Sequence, residues 1–199
     1  MKRRIHLSIC FGLICAIMLS LSHFSAACDD LRQNVLRLHI IANSDSEADQ
    51  ALKIMIRDEI LKNTDGIFSD ADNLEKAQSS VVNNLGTFEK IANEVIKQNG
   101  FNYKAVATFG ASDFNTRYYD DFALPAGEYQ SLIITLGDGK GKNWWCVVYP
   151  TVCIPAASKG KLEDSVKSES AQIARGSKRF VMRFKTVEVY EKIKKLINR

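Results

Sequence analysis

Histidine is scarce in this 199-residue chain: His6 and His23 lie in or beside an apolar N-terminal stretch, and only His39 belongs to the body of the sequence. Without further imidazoles, the scattered Cys28, Cys146 and Cys153 make no zinc-ligand spacing. Surplus positive charge is missing too. Once Lys2, Arg3 and Arg4 are set aside, residues 28–199 hold 24 basic against 23 acidic groups. A nucleic-acid binder normally shows a strong basic excess, so that class is excluded. No dinucleotide fingerprint and no GxSxG elbow occurs, and Asp65-Gly66 does not complete the Asp-Thr-Gly or Asp-Ser-Gly string of an aspartic peptidase. The glycine cluster Gly137 to Asn143, GDGKGKN, fails as a phosphate loop, because Gly141-Lys142 is followed by Asn143 where Ser or Thr is required. Its simplest reading is a β-hairpin loop with Lys140 and Lys142 solvated at the tip.

What is present begins with an export signal. Ile5 to Leu21 contains no Asp, Glu, Lys or Arg, is preceded by three basic residues and is followed by Ser25-Ala26-Ala27. That is the pattern of a signal peptide over residues 1–27, with cleavage starting the mature chain at Cys28. The apolar run also sits at the lower limit of a spanning helix, so an uncleaved anchor is the competing reading. Lipidation of Cys28 ranks below cleavage, because Ser25 stands where a leucine-like residue is expected.

Residues 28–156 read as one globular domain. Leu36, Leu38, Ile40 and Ala42 alternate with Arg37, His39 and Ile41, the period of a strand with one face on a core. Ser44 with Glu47, or Ser46 with Asp49, then caps a helix. Leu52, Met55, Ile56 and Ile60 face its core side, and the pairs Asp49/Lys53 and Asp58/Lys62 suit a wet side. Ser69 and Asp72 open a second, long helix whose stripe runs from Leu74 to Val95 and stops at Asn99-Gly100. Strands follow over Phe101–Phe109, Phe114–Tyr119, Tyr129–Leu136 and Trp144–Tyr149. In the last, the adjacent Trp144 and Trp145 must face opposite sides of the sheet.

Residues 157–178 are polar and read as a linker, and 179–199 as an amphipathic helix that packs back on the domain or rests on an anionic membrane. The element order predicts an α+β fold: a mostly antiparallel sheet of about five strands, packed against two or three helices and preceded by the signal peptide.

Two cysteine readings compete. Cys146 and Cys153 flank the turn at Pro150 and could close a short disulfide loop outside the cytoplasm, or remain buried thiols. Alternatively Cys146 could be a nucleophile with His39 as base and Glu128 or Asn43 as orienter, giving an extracytoplasmic thiol or cell-wall enzyme. Burial in an apolar strand argues against that, since it raises a thiol pKa.

Three strings carry a resemblance: LRLHIIANSDSEADQALKIMIRDEIL from Leu36, LPAGEY at Leu124 to Tyr129, and GKGKNWWCVVYP at Gly139 to Pro150. Over roughly Leu31 to Pro155 the chain resembles the stage II sporulation protein R family. The resemblance implies a signalling protein of endospore formers, secreted across the forespore membrane into the space between forespore and mother cell. There it would switch on a membrane-embedded aspartic peptidase that processes pro-sigma-E. It implies no enzyme activity, cofactor, metal or small-molecule substrate. The residues expected to meet that partner are Arg37, His39, Asn43, Ser44 and Asp45.

Overall fold

The computed structural model describes residues 2–68, 71–119, 122–150, 162 and 165–197. In chain order its elements are α1 (Lys2–Gln33), β1 (Leu36–Ile41), α2 (Glu47–Ile67), α3 (Leu74–Asn83), α4 (Leu85–Gln98), β2 (Ala105–Phe114), β3 (Arg117–Tyr118), β4 (Ala123–Leu124), β5 (Gly127–Leu136), β6 (Asn143–Tyr149), α5 (Ser168–Arg175) and α6 (Ser177–Ile197). They divide into two compact units, one of Met1–Gln33, Phe114–Gly127 and Val166–Arg199, the other of Asn34–Asp113 and Glu128–Ser165.

The second unit is an α+β layer pair. Its four-stranded sheet has the order β2-β5-β1-β6. β1 runs parallel to β5, with Leu38 opposite Leu132, and antiparallel to β6, with Leu38 opposite Cys146. The sheet is therefore mixed, not mostly antiparallel as expected. The cause is the long connection through α2, α3, α4 and β2, which returns the chain beside β1 in the same direction, as a parallel pair requires. The period-two pattern of β1 marks its buried face but carries no information about which strands will flank it.

That buried face is Leu36, Leu38 and Ile40, joined by Leu132, Ile134, Leu136, Cys146 and Val148. Leu52, Ile56 and Ile60 of α2 and Phe88, Ala92 and Ile96 of α4 close over it. Each of the leucine, isoleucine, valine and phenylalanine side chains among them contributes about 1.5–3 kcal/mol by leaving water. Met55, expected on the same stripe, is instead exposed.

Ser46 wins the capping contest: its hydroxyl accepts the Asp49 amide at 3.2 Å. The single long helix predicted from residue 74 is two, broken at Asn84, whose side chain bonds back to the Ser80 carbonyl at 2.8 Å. The apolar stripe continues through the break, which is why periodicity alone does not reveal it. Asn73 caps α3 through the Lys76 amide; Ser69, the expected cap, lies outside the described residues. Asn99 and Gly100, with φ +78°, end α4 as predicted.

In the first unit, the C-terminal part of α1 packs with α5 and α6. Phe24, Ala27 and Cys28 are buried against Ala123, Ile173 and Phe184. Within the stretch 157–178 read as a polar linker, α5 is ordered helix with Ala171, Ile173 and Ala174 buried. The expected strand at Phe114–Tyr119 shrinks to β3, paired with β4. α6 buries Phe184 but exposes Val181, Tyr190, Ile193 and Ile197 of the stripe predicted for it, so its apolar residues do not gather on one side.

Candidate functional site

At the C-terminal end of β1 the chain turns into α2, and the loop from Gly137 to Lys142 arches across the same end. This loop does not make a hairpin, because β1 lies between β5 and β6 and the loop must cross it. Crossing brings the two segments into contact. The amides of Gly141 and Lys140 donate to the carbonyls of Ala42 (2.8 Å) and Asn43 (3.1 Å). The Asp138 amide donates to Asn43 Oδ1 at 3.0 Å, and the Lys142 amide to Asp45 Oδ1 at 2.7 Å. Gly141 is required there, since a Cβ would collide with the Ser44 carbonyl.

Beneath this lock sits Asp49, 4% exposed. Its carboxylate accepts hydrogen bonds from Asn43 Nδ2 (3.0 Å), Ser44 Oγ (2.5 Å) and Tyr103 Oη (2.5 Å). Burial by itself would raise its pKa, but the hydrogen bonds from Ser44, Tyr103, Asn43 and Ser46 together outweigh that and hold it below the ordinary aspartate value. Burial, then the hydrogen bond to Asp49 and its charge, pushes the Tyr103 hydroxyl upward. One turn along α2, Lys53 is also buried and donates to Gln50 Oε1 (2.6 Å) and the Lys142 carbonyl (2.9 Å). Burial lowers its pKa, with Asp45 opposing and Lys142 reinforcing. Asp49 and Lys53 thus are not a wet i,i+4 pair. The crossing loop covers them.

The face of β1 opposite the core carries Arg37 and His39, as predicted, but with different fates. Arg37 is fully buried, with its guanidinium 4.9 Å from the Tyr129 ring centroid. That burial removes it from any contact surface. His39 is partly exposed, stacks on Trp145 at 3.8 Å, and its Nε2 lies 3.1 Å from Asn143 Oδ1. Desolvation depresses the imidazole pKa; the Asn143 bond opposes this and the Arg37 charge adds to it. Trp144 points the other way, to the core, under Arg57 at 4.4 Å.

Of the expected contact residues, Asn43, Ser44 and Asp45 come together at the lock and His39 lies beside it. Asn43 is committed internally on both sides of its amide, whereas Asp45 is exposed. The residues missed from sequence are Asp49, Gln50, Lys53 and Tyr103. Asp49 carried a signal only as the partner of Ser46 in a capping box.

The Cys146–His39 dyad is not assembled. Cys146 pairs with Leu38 on the core side of the sheet, and His39 pairs with Trp145 on the other. Cys146 is moreover disulfide-bonded; Cys153 lies outside the described residues. Glu128 is exposed, and Asn143 rather than Asn43 meets the imidazole. Among the described residues, no group of His, Cys, Asp and Glu could hold a metal ion.

The lock, the stacked His39–Trp145 pair and Cys146 all fall within residues 32–159, which match the profile of the stage II sporulation protein R family. Over 126 residues the chain is 39% identical to stage II sporulation protein R of Bacillus subtilis (strain 168), covering 63% of this chain and 56% of that protein. The chain thus spans just over half the length of this curated relative. No solved structure matches it. With the profile spanning more than half of its length, this chain belongs to the stage II sporulation protein R family.

Proposed function

We propose that this protein is an exported signal of endospore formation that activates a membrane-embedded aspartic peptidase to process pro-sigma-E, working in the space between forespore and mother cell. Family membership carries the reading. Two features support it: an N-terminal helix long and apolar enough to cross a membrane, and a sheet end at which two loops are tied together by backbone and side-chain hydrogen bonds into a defined relief. A ligand activates its receptor only by binding the active arrangement more tightly than the inactive one, which favours a presenting surface that does not itself rearrange. The contact surface is His39, Ser44 and Asp45 together with the exposed Asp138 and Lys140 of the loop. Asn43 supports it from below.

The test is co-reconstitution of the chain with the peptidase and pro-sigma-E in one vesicle system. Processing is expected to depend on the chain and to fall at least tenfold in His39→Ala or in the charge exchange Asp138→Lys with Lys140→Asp, equivalent to about 1.4 kcal/mol of differential binding. Processing without the chain, or substrate cleavage by the chain with no peptidase present, would end this reading. Within the same proposal Cys146 bridges to Cys153. Non-reducing peptide mapping is expected to yield the linked pair, and recovery of Cys153 as a free thiol would remove it.

A further inference from the structure

Hydrophobic side chains of α6 lie on two opposite sides of the helix, and the first unit uses one of them. Phe184 is fully buried against Ala123 and Ile173, with Phe180 and Val187 packed beside it. At about 100° per residue these three fall together. Met182, Val189, Tyr190, Ile193, Leu196 and Ile197 fall within an arc of about 120° on the other side, a stripe about four turns long. All six are exposed, Met182 by 81%, Leu196 by 73% and Ile197 by 75%. Single apolar residues on a surface are ordinary, but a continuous stripe of them marks a contact.

The charges of α6 are sorted around that stripe. Lys185 and Lys192 border it along one edge, Arg183 and Lys194 along the other, and all four are exposed. The acids sit toward the unit, with the side chains of Glu188 and Glu191 only 13% and 15% exposed. Both are paired there: Glu188 with Lys185 (3.0 Å) and Lys192 (3.4 Å), Glu191 with Arg32 (3.7 Å). Over its length the helix holds seven basic residues against two acidic ones. Cations thus rim both edges of the stripe, where their apolar stems lie along it and their charged heads reach outward. A second copy of the helix would set like charges against each other at both rims, where paired helices place opposite ones. Tyr190, at the margin beside Arg183 and Lys194, has the amphipathic ring favoured at the level of lipid headgroups.

We propose that α6 is a reversible membrane-surface helix: its outer stripe enters the headgroup region of a bilayer carrying anionic phospholipid, while its inner side stays packed in the first unit. The helix lies in the interface and does not span it, so apolar burial and attraction to anionic lipid act together and neither fixes the chain permanently. α6 lies outside residues 32–159, and the proposal holds whatever the receptor is and wherever the amino terminus is cut.

The test uses the chain purified from an endospore-forming host after export, with the amino terminus that host leaves on it. It is mixed with vesicles of phosphatidylglycerol and phosphatidylcholine in equal parts, or of phosphatidylcholine alone. Expected are flotation with the anionic vesicles, at least tenfold weaker binding to the neutral ones, weakening as salt is raised, and slowed hydrogen exchange along α6 on the anionic vesicles. The charge reversal Lys185→Glu with Lys194→Glu, and separately Val189→Ser with Ile193→Ser, are each expected to weaken binding at least tenfold, with helix content and tryptophan fluorescence in solution unchanged. Equal binding to both kinds of vesicle overturns the proposal, as does either double variant binding like the unaltered chain. So does slowed exchange that spares α6, or that covers α6 without vesicles at concentrations where the chain sediments as a dimer.

Discussion

His39 and Asp49 show how two side chains ten residues apart acquire opposite chemistries. His39 is held neutral, because burial and the Arg37 charge disfavour the imidazolium more than Asn143 supports it. Its folded pKa lies below the unfolded value of about 6.5, so it contributes stability that is full above that value and is lost as pH falls through the folded pKa. Denaturant midpoints are expected to drop on acidification below about pH 6.5, and His39→Phe, which keeps the stack on Trp145, should flatten that slope. Asp49 also has a lowered folded pKa. Its contribution is present above about pH 4 and is lost as pH falls through the folded value. Asp49→Ala strands the donors of Asn43, Ser44 and Tyr103, and is expected to cost about 3 kcal/mol in urea unfolding. A loss below the error of the extrapolation would show that water replaces the carboxylate.

Among the elements, β1 and α2 were legible because each writes its own period into the chain: alternation over Leu36 to Ala42, then Leu52, Ile56 and Ile60. What surrounds them was not legible. The parallel neighbour β5 is reached through a long crossover that leaves no mark on β1 itself. Gly137 to Asn143 has the turn residues of a hairpin, and those residues serve a loop crossing the end of β1 equally well. A glycine-rich loop of this composition reads as solvated, so Asp49 and Lys53 read as a surface pair; their burial depends on where the loop crosses, which no local pattern encodes. Alternation puts Arg37 on the face of the strand opposite the core, but no local pattern distinguishes a buried from an exposed stretch of that face. Gly141 tests the loop as an element. Gly141→Ala must push the loop off the Ser44 carbonyl, and a destabilisation of about 2 kcal/mol is expected. Faster hydrogen exchange at the Gly141 and Lys142 amides should accompany it; unchanged exchange would show that the crossing tolerates a side chain.

At the scale of the whole molecule, two cores answer to different parts of the chain. Both tryptophans lie in the second unit, and Phe184 is the largest fully buried side chain of the first. Phe184→Ala is expected to destabilise the first unit by about 3–5 kcal/mol while leaving the tryptophan-detected unfolding midpoint in place. A single shifted transition would show that the units unfold as one. The sheet order has a further consequence for export. β1 finds its partners only after a long wait, since Arg37 pairs with Ser131 and Leu38 with Cys146. Such distant pairings make for high contact order and slow closure. During synthesis the first strand therefore stays without neighbours until about two-thirds of the polypeptide has emerged, which on the proposed export route would keep the chain threadable through a translocon that admits only unfolded protein.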